Sequence, residues 1–208
     1  MENKKYEFVP ESEITICRGT TLMRIRALRD FGDVKKGDIG GYIQFEENLS
    51  HEGNCWVYGE AGVFDNAKVF DNARVFDTAR VFDNAGVYGD ARVLGDAGVY
   101  GDARVFGGAK VYGLVMVYGD AEVKGAEDYI VFKNWWSSGR YFTWTRSNNM
   151  WRVGCFYGTG EELIKKAYKD SERSGREYER IVKYVEEILE GEERYHKLIE
   201  SEELYKDR

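Results

Sequence analysis

Residues 54–125 read NCWVYG EAGVFD NAKVFD NARVFD TARVFD NAGVYG DARVLG DAGVYG DARVFG GAKVYG LVMVYG DAEVKG, twelve uninterrupted hexads of the form x-[small]-x-Val-x-[Gly/Asp]. A short fixed period of this kind marks a solenoid, in which each unit buries its inner face only against its neighbours. Along a strand, the Val and the small residue two places before it point the same way. The Val column (57, 63, 69, 75, 81, 87, 93, 99, 105, 111, 117, 123) and an Ala column therefore predict the interior. Cys55 and Val115 stand in the small column, so Cys55 reads as a core residue rather than a reactive thiol. The Gly or Asp that ends each hexad suits a tight corner. With three short strands per coil, the hexads predict a mainly β chain built on a single parallel β-helix of about four coils, with strands about 4.8 Å apart.

Residues three hexads apart then share a face. The outward aromatic rows are Tyr58, Phe76, Leu94, Tyr112; Phe64, Phe82, Tyr100, Tyr118; and Phe70, Tyr88, Phe106, Lys124. Rows of this size predict an interface between copies of the chain. The other reading is a ladder of rings that stabilises each face without a partner. The remaining outward positions give Trp56, Arg74, Arg92, Lys110 on the first face, against the mixed columns Gly62, Arg80, Gly98, Met116 and Lys68, Gly86, Arg104, Glu122. Three cations beneath a Trp are a candidate site for an anionic, ring-bearing ligand. The plainer reading pairs those cations with the corner Asp residues.

The 208 residues carry a net charge of −7, distributed as −2 over 1–54, −3 over 55–125, +2 over 126–159 and −4 over 160–208. Affinity for duplex nucleic acid comes largely from phosphate neutralisation, so general duplex binding is excluded. The one basic segment holds Trp135, Trp136, Trp144 and Trp151 among Arg140, Arg146 and Arg152. Trp144, Arg146 and Trp151 are a second candidate site, able to stack a base or nucleotide; the alternative is that they fill the core of a small sheet. Cys17, Cys55 and Cys155 are odd in number and lack CxxC spacing, against a disulfide framework or a zinc site. The start is charged, without an apolar leader, and no run reaches membrane-spanning length. The expectation is a reduced, cytoplasmic protein with no metal, cofactor or membrane partner.

After Gly125 the pattern changes. Tyr129–Lys133, Arg140–Thr145 and Met150–Tyr157 read as strands, with a turn at Ser147-Asn148-Asn149. Thr159 with Glu162 and Ser174 with Glu177 read as capping boxes that start helices. Gly158-Thr-Gly-Glu-Glu162 lacks a following Lys-Ser/Thr and is not a P-loop. Tyr178, Ile181, Val182, Val185, Ile188 and Leu189 trace one apolar helix face. Gly191 is expected to end that helix, with a third over 192–205. The resulting division is an N-terminal β cap (1–53), the hexad solenoid (54–125), and a hairpin with amphipathic helices (126–208).

Val-x-Asp-Asn-Ala and Val-x-Gly-Asp-Ala resemble the repeat of the hexapeptide-repeat, left-handed β-helix family, with Phe or Tyr where that family often has Gly. Two preceding stretches, RIRALRDFGDVKKGDIGGY (24–42) and NLSHEGNCWV (48–57), resemble the N-terminal cap of an acyltransferase-like subgroup found in bacteria and their phages. The resemblance implies a left-handed coil, a homotrimer, and an acyl-CoA cleft between subunits served by a His base. This chain has only His51 and His196, both outside the hexads, and no loop interrupts them. Two His cannot supply the three zinc ligands of the related carbonic anhydrases. His51 is the catalytic residue only if the chain is a transferase. The expected function is therefore a non-catalytic, oligomeric binding protein. In a phage-type counter-defence role it would sequester an anionic, nucleotide-like small molecule or block a host protein. A hexapeptide-repeat acyltransferase and a structural assembly protein are the alternatives.

Overall fold

A computed structural model describes residues 4–16 and 19–206, with side chains to residue 199; Cys17 lies outside the described residues. The chain divides into two compact units: Met1–Lys133 with Arg140–Tyr157, and Asn134–Gly139 with Gly158–Arg208.

The first unit begins with β1 (Tyr6–Phe8), β2 (Ile14–Thr15), β3 (Thr21–Ala27) and β4 (Ile39–Ile43). Both β1 and β4 pair antiparallel with β3. One short strand per hexad follows, from β5 (Trp56–Val57) to β16 (Glu122–Val123). Each pairs in parallel with the strand three hexads on, so Val57, Val75, Val93 and Val111 lie in register on one face. Val63, Val81, Val99 and Val117 line the second face. Val69, Val87, Val105 and Val123 line the third. Every one of these Val residues is 0 % exposed, and the Ala column, with Cys55 and Val115, is buried beside them. This is the parallel β-solenoid that the hexads predict.

The corners follow from residue chemistry. All hexads but the last end in a residue at φ between +55° and +75°, Gly or Asp, the side chains that tolerate the left-handed region best. The Asp corners do more than turn the chain: Asp71, Asp77 and Asp83 each accept from the backbone N–H of the corner Gly one coil on, at 2.9–3.1 Å. The corner carboxylates thus cap backbone instead of pairing with the outward cations.

The solenoid has about five turns, one more than expected. In β4, Tyr42 and Ile43 pair in parallel with Gly62 and Val63, and Leu49 bridges in parallel to Val69. One face therefore stacks β4 beneath four hexad strands. Ile43 and Leu49 keep the six-residue step, but eight residues separate Leu49 from Val57, which hides the first coil from a search for the hexad.

Both ends are closed, as an open stack of short strands requires. At the start, the antiparallel β1–β3–β4 layer extends one face, and Tyr6, Phe31, Val34 and Leu49 are buried with Trp56 over the interior. At the far end, β17 (Tyr129–Lys133), β18 (Tyr141–Thr145), β19 (Met150–Val153) and β20 (Phe156–Gly158) form a four-stranded sheet. Its side chains satisfy the last rungs: Met116 N donates to Thr143 Oγ1 at 3.1 Å and Glu122 N to Ser147 Oγ at 2.7 Å. Asp128 accepts from the N–H groups of Lys124 and Gly125. The single returning strand expected over Met150–Tyr157 is instead two, because Gly154 takes φ +58° and turns the chain.

In the second unit, Thr159 and Glu162 form the expected reciprocal cap at the start of α1 (Gly160–Asp170). α2 (Glu172–Lys206) departs from expectation at two points. Its first turn is capped by Ser171, whose Oγ accepts from Ser174 N at 3.1 Å, while Ser174 is itself buried. Gly191 does not end it, since one Gly costs only about 1 kcal/mol in a helix interior and strong helix formers flank it. The helices cross closely where Tyr168 lies on Gly175; a Cβ there would come within 2.3 Å of the ring. Val182 and Val185 are buried, and the Tyr178 ring meets Trp136 edge-on and accepts from Asn134. No helix among the described residues is long and apolar enough to cross a membrane.

Candidate functional site

The column Trp56, Arg74, Arg92, Lys110 stands in register as the hexad spacing predicts. Its chemistry differs from the expected platform. Trp56 is 1 % exposed, its ring enclosed edge-on by Tyr6 and Phe31, so it offers no face to a ligand. Arg74 is tied to the cap through Asp33, 2.9 Å from its Nη1, and the other oxygen of Asp33 accepts from Tyr58 Oη at 2.9 Å. Burial pushes the Asp33 carboxyl up, but the Tyr58 hydroxyl and Arg74 outweigh it and hold it below its ordinary value. Arg92 and Lys110 are exposed and make no ion pair among the described residues.

Trp144 and Trp151 face each other across β18 and β19 and are 1 % and 2 % exposed. Trp144 Nε1 donates to Asn149 Oδ1 at 2.8 Å, and Arg146 Nε donates to the Glu127 carbonyl. These residues fill the sheet's core and fix the turn; they are not an open stacking surface.

His51 is equally committed. Its Nδ1 accepts from the Lys5 backbone N–H at 3.1 Å, which places the ring proton on Nε2, bonded to Glu46 Oε1 at 2.7 Å. The ring stacks on Tyr6 at 4.4 Å. Neither nitrogen retains a free lone pair for general-base work. Hydrogen bonds from Lys4 and His51 hold the Glu46 carboxyl below its ordinary value. A depressed carboxylate stabilises the fold at neutral pH and stops doing so as pH falls through its folded value. Glu46→Gln is therefore expected to flatten the loss of stability as pH falls from about 5 downward, by less than about 1 kcal/mol because the group is half exposed. Urea unfolding across that range measures it; an unchanged acid limb would contradict the assignment.

An open groove lies elsewhere, on the face read from the sequence as a mixed column. Thr78, Arg80, Phe82, Asp96, Gly98, Tyr100, Met116 and Arg152 line a cavity of about 720 Å³. Gly98 makes its floor: a Cβ there would come 2.8 Å from Met116 Sδ. Glycine at 62 and 98 leaves the Arg80 side chain without bulky neighbours along its column, and its guanidinium is exposed with no ion pair among the described residues. Phe64, Phe82 and Tyr100 stack at 5.0 and 4.6 Å with planes 3° and 6° apart. Their faces are spent on one another, so the ladder presents ring edges to the groove. Arg152 closes one end, donating from Nε to Tyr100 Oη at 2.7 Å, with its guanidinium carbon 5.0 Å from the centre of the Tyr118 ring. Burial raises the Tyr100 pKa, while the Arg152 bond pulls it down. A second cavity of about 450 Å³ shares Arg80, Phe82 and Tyr100 with the first and also includes Asp65 and Asp83.

The Gly-Arg-Gly run of this column was readable in the hexads; Arg152 was not, because only docking of the terminal sheet brings it to Tyr100. The site that fold and geometry define is a capped parallel β-solenoid with a cationic, aromatic-edged groove on one face. No family model matches the chain. Over 41 residues it is 46 % identical to the uncharacterized acetyltransferase YdcK of Escherichia coli K12, a match covering 20 % of this chain and 13 % of that protein. The short match and the solenoid fit a hexapeptide-repeat β-helix.

Proposed function

We propose that this is a non-catalytic binding protein whose groove at Arg80, Phe82, Tyr100 and Arg152 holds an anionic, ring-bearing ligand of the nucleotide class. One observation carries the reading: an exposed guanidinium without an ion pair shares an open cavity with the edges of a ring ladder. A guanidinium offers forked donors to phosphate, and electropositive ring edges suit the electron-rich face of a base. The cavity lies within the range of about 300–1,000 Å³ common for small-molecule sites. Calorimetric titration with ATP and with coenzyme A tests it. Arg80→Ala is expected to weaken binding of the tighter ligand at least about tenfold, or about 1.4 kcal/mol, while Arg92→Ala leaves it unchanged. Binding of neither compound by the wild type, or equal loss in both variants, would overturn the assignment.

The similarity to an acetyltransferase favours a second reading, in which the same groove takes the nucleotide end of an acyl-CoA for transfer. His51 would then be the base. Its two engaged nitrogens weigh against that role, and acetyl transfer that disappears in His51→Ala would establish it.

A further inference from the structure

We propose that Lys5 and Cys55 form an oxidative crosslinking site, in which the lysine Nζ and the cysteine Sγ become joined through one oxygen atom. The two atoms lie 3.1 Å apart, on side chains that are 0 % exposed. Lys5 Nζ also donates to the carbonyls of Glu52 and Cys55, at 3.2 and 2.9 Å, and lies 5.1 Å from the Phe31 ring centre. No carboxylate pairs with it among the described residues. Burial pushes the Cys55 thiol up and the Lys5 ammonium down, which eases loss of the proton that must leave before the nitrogen can bond.

Hydrogen peroxide is the oxidant. The first equivalent converts the thiol to a sulfenic acid with loss of one water. The second oxidises the sulfenic acid and amine together: the N–O bond forms, one N–H and the sulfenic O–H are lost, the peroxide O–O bond breaks, and two waters leave. The chain gains one oxygen and loses two hydrogens, about +14 Da, whereas stepwise oxidation of a cysteine adds about 16 Da per oxygen. Two usual competitors are disfavoured at this position. Burial keeps external thiols from Sγ, and the neighbouring Trp56 N–H, which a sulfenamide would need, is bonded to the Ala73 carbonyl at 3.1 Å. Lys5 immediately precedes Tyr6–Phe8 of the cap, and Cys55 is the second residue of the first hexad. The crosslink therefore fastens the cap to the mouth of the solenoid and closes the intervening chain into a loop, which raises resistance to unfolding.

Intact-mass measurement and peptide mapping of the wild-type chain after peroxide treatment test this. The expected result is a species about 14 Da heavier, a peptide pair joined at Lys5 and Cys55, and return to the starting mass with dithiothreitol once the chain is unfolded in urea. Cys55 left unmodified, or carrying oxygen without a bond to Lys5, overturns it. In Lys5→Met the joined peptide is expected to vanish while Cys55 accumulates ordinary oxygen adducts; because mapping of the wild type decides alone, a variant that fails to fold does not rescue the idea.

Discussion

Val87→Asp is expected to abolish the cooperative unfolding transition of the solenoid at ambient temperature. Val87 is 0 % exposed and lies in register between Val69 and Val105, at the middle of its face. A carboxylate there has only Val and Ala side chains around it. An uncompensated buried charge costs about 3–5 kcal/mol, a large share of the roughly 5–15 kcal/mol that holds a domain together. In a stack where each coil touches only the next, a break in the middle also uncouples the two halves. The strand neighbour Gly86 points outward, where a Cβ meets only Tyr88 at 3.7 Å. Gly86→Ser is therefore expected to stay within about 0.5 kcal/mol of wild type. Circular dichroism melts of the two variants make the comparison. A Val87→Asp melt close to that of Gly86→Ser would contradict the interior assigned to the hexads.

Gly53→Ala is the second large effect, at about 3 kcal/mol, from left-handed strain plus displacement of backbone. Gly53 sits at φ +62°, and a Cβ would lie 2.2 Å from the Asp71 carbonyl oxygen. That carbonyl accepts from Cys55 N at 2.9 Å, so pushing it aside loosens the first hexad's register on the next coil. Gly59 has a similar φ, +60°, but its Cβ would stand 3.3 Å from the nearest atom, and Asp already fills four equivalent corners. Gly59→Ala should thus lose only about 1 kcal/mol. Urea unfolding of the pair separates close approach from backbone conformation; equal losses would refute the steric argument at Gly53.

The contrast between what the hexads revealed and what they did not has a physical basis. Rung register, interior columns and corners repeat a local rule, and all are visible in Val, Ala and Gly/Asp spacing. The first coil obeys the same rule at Ile43 and Leu49 but lacks Val and is followed by inserted residues. Trp56 looked exposed because its parity points outward; it is covered by Tyr6 and Phe31, which lie far away in the chain. Trp144 and Trp151 were correctly placed on strands, yet which side of the sheet is buried depends on how it docks. Arg152 reaches Tyr100 across 52 residues, beyond any periodic signal. Gly191 misled in the opposite sense, as a local breaker overridden by its helical surroundings.

Native mass spectrometry of gently isolated protein, before and after addition of ATP and coenzyme A, tests the binding assignment most directly. It also counts the chains in the assembly, for which a trimer is the expectation. The account predicts a discrete added mass on the wild-type protein that is lost in Arg80→Ala. Wild-type protein that stays empty with both compounds, or an added mass that Arg80→Ala retains undiminished, would contradict it.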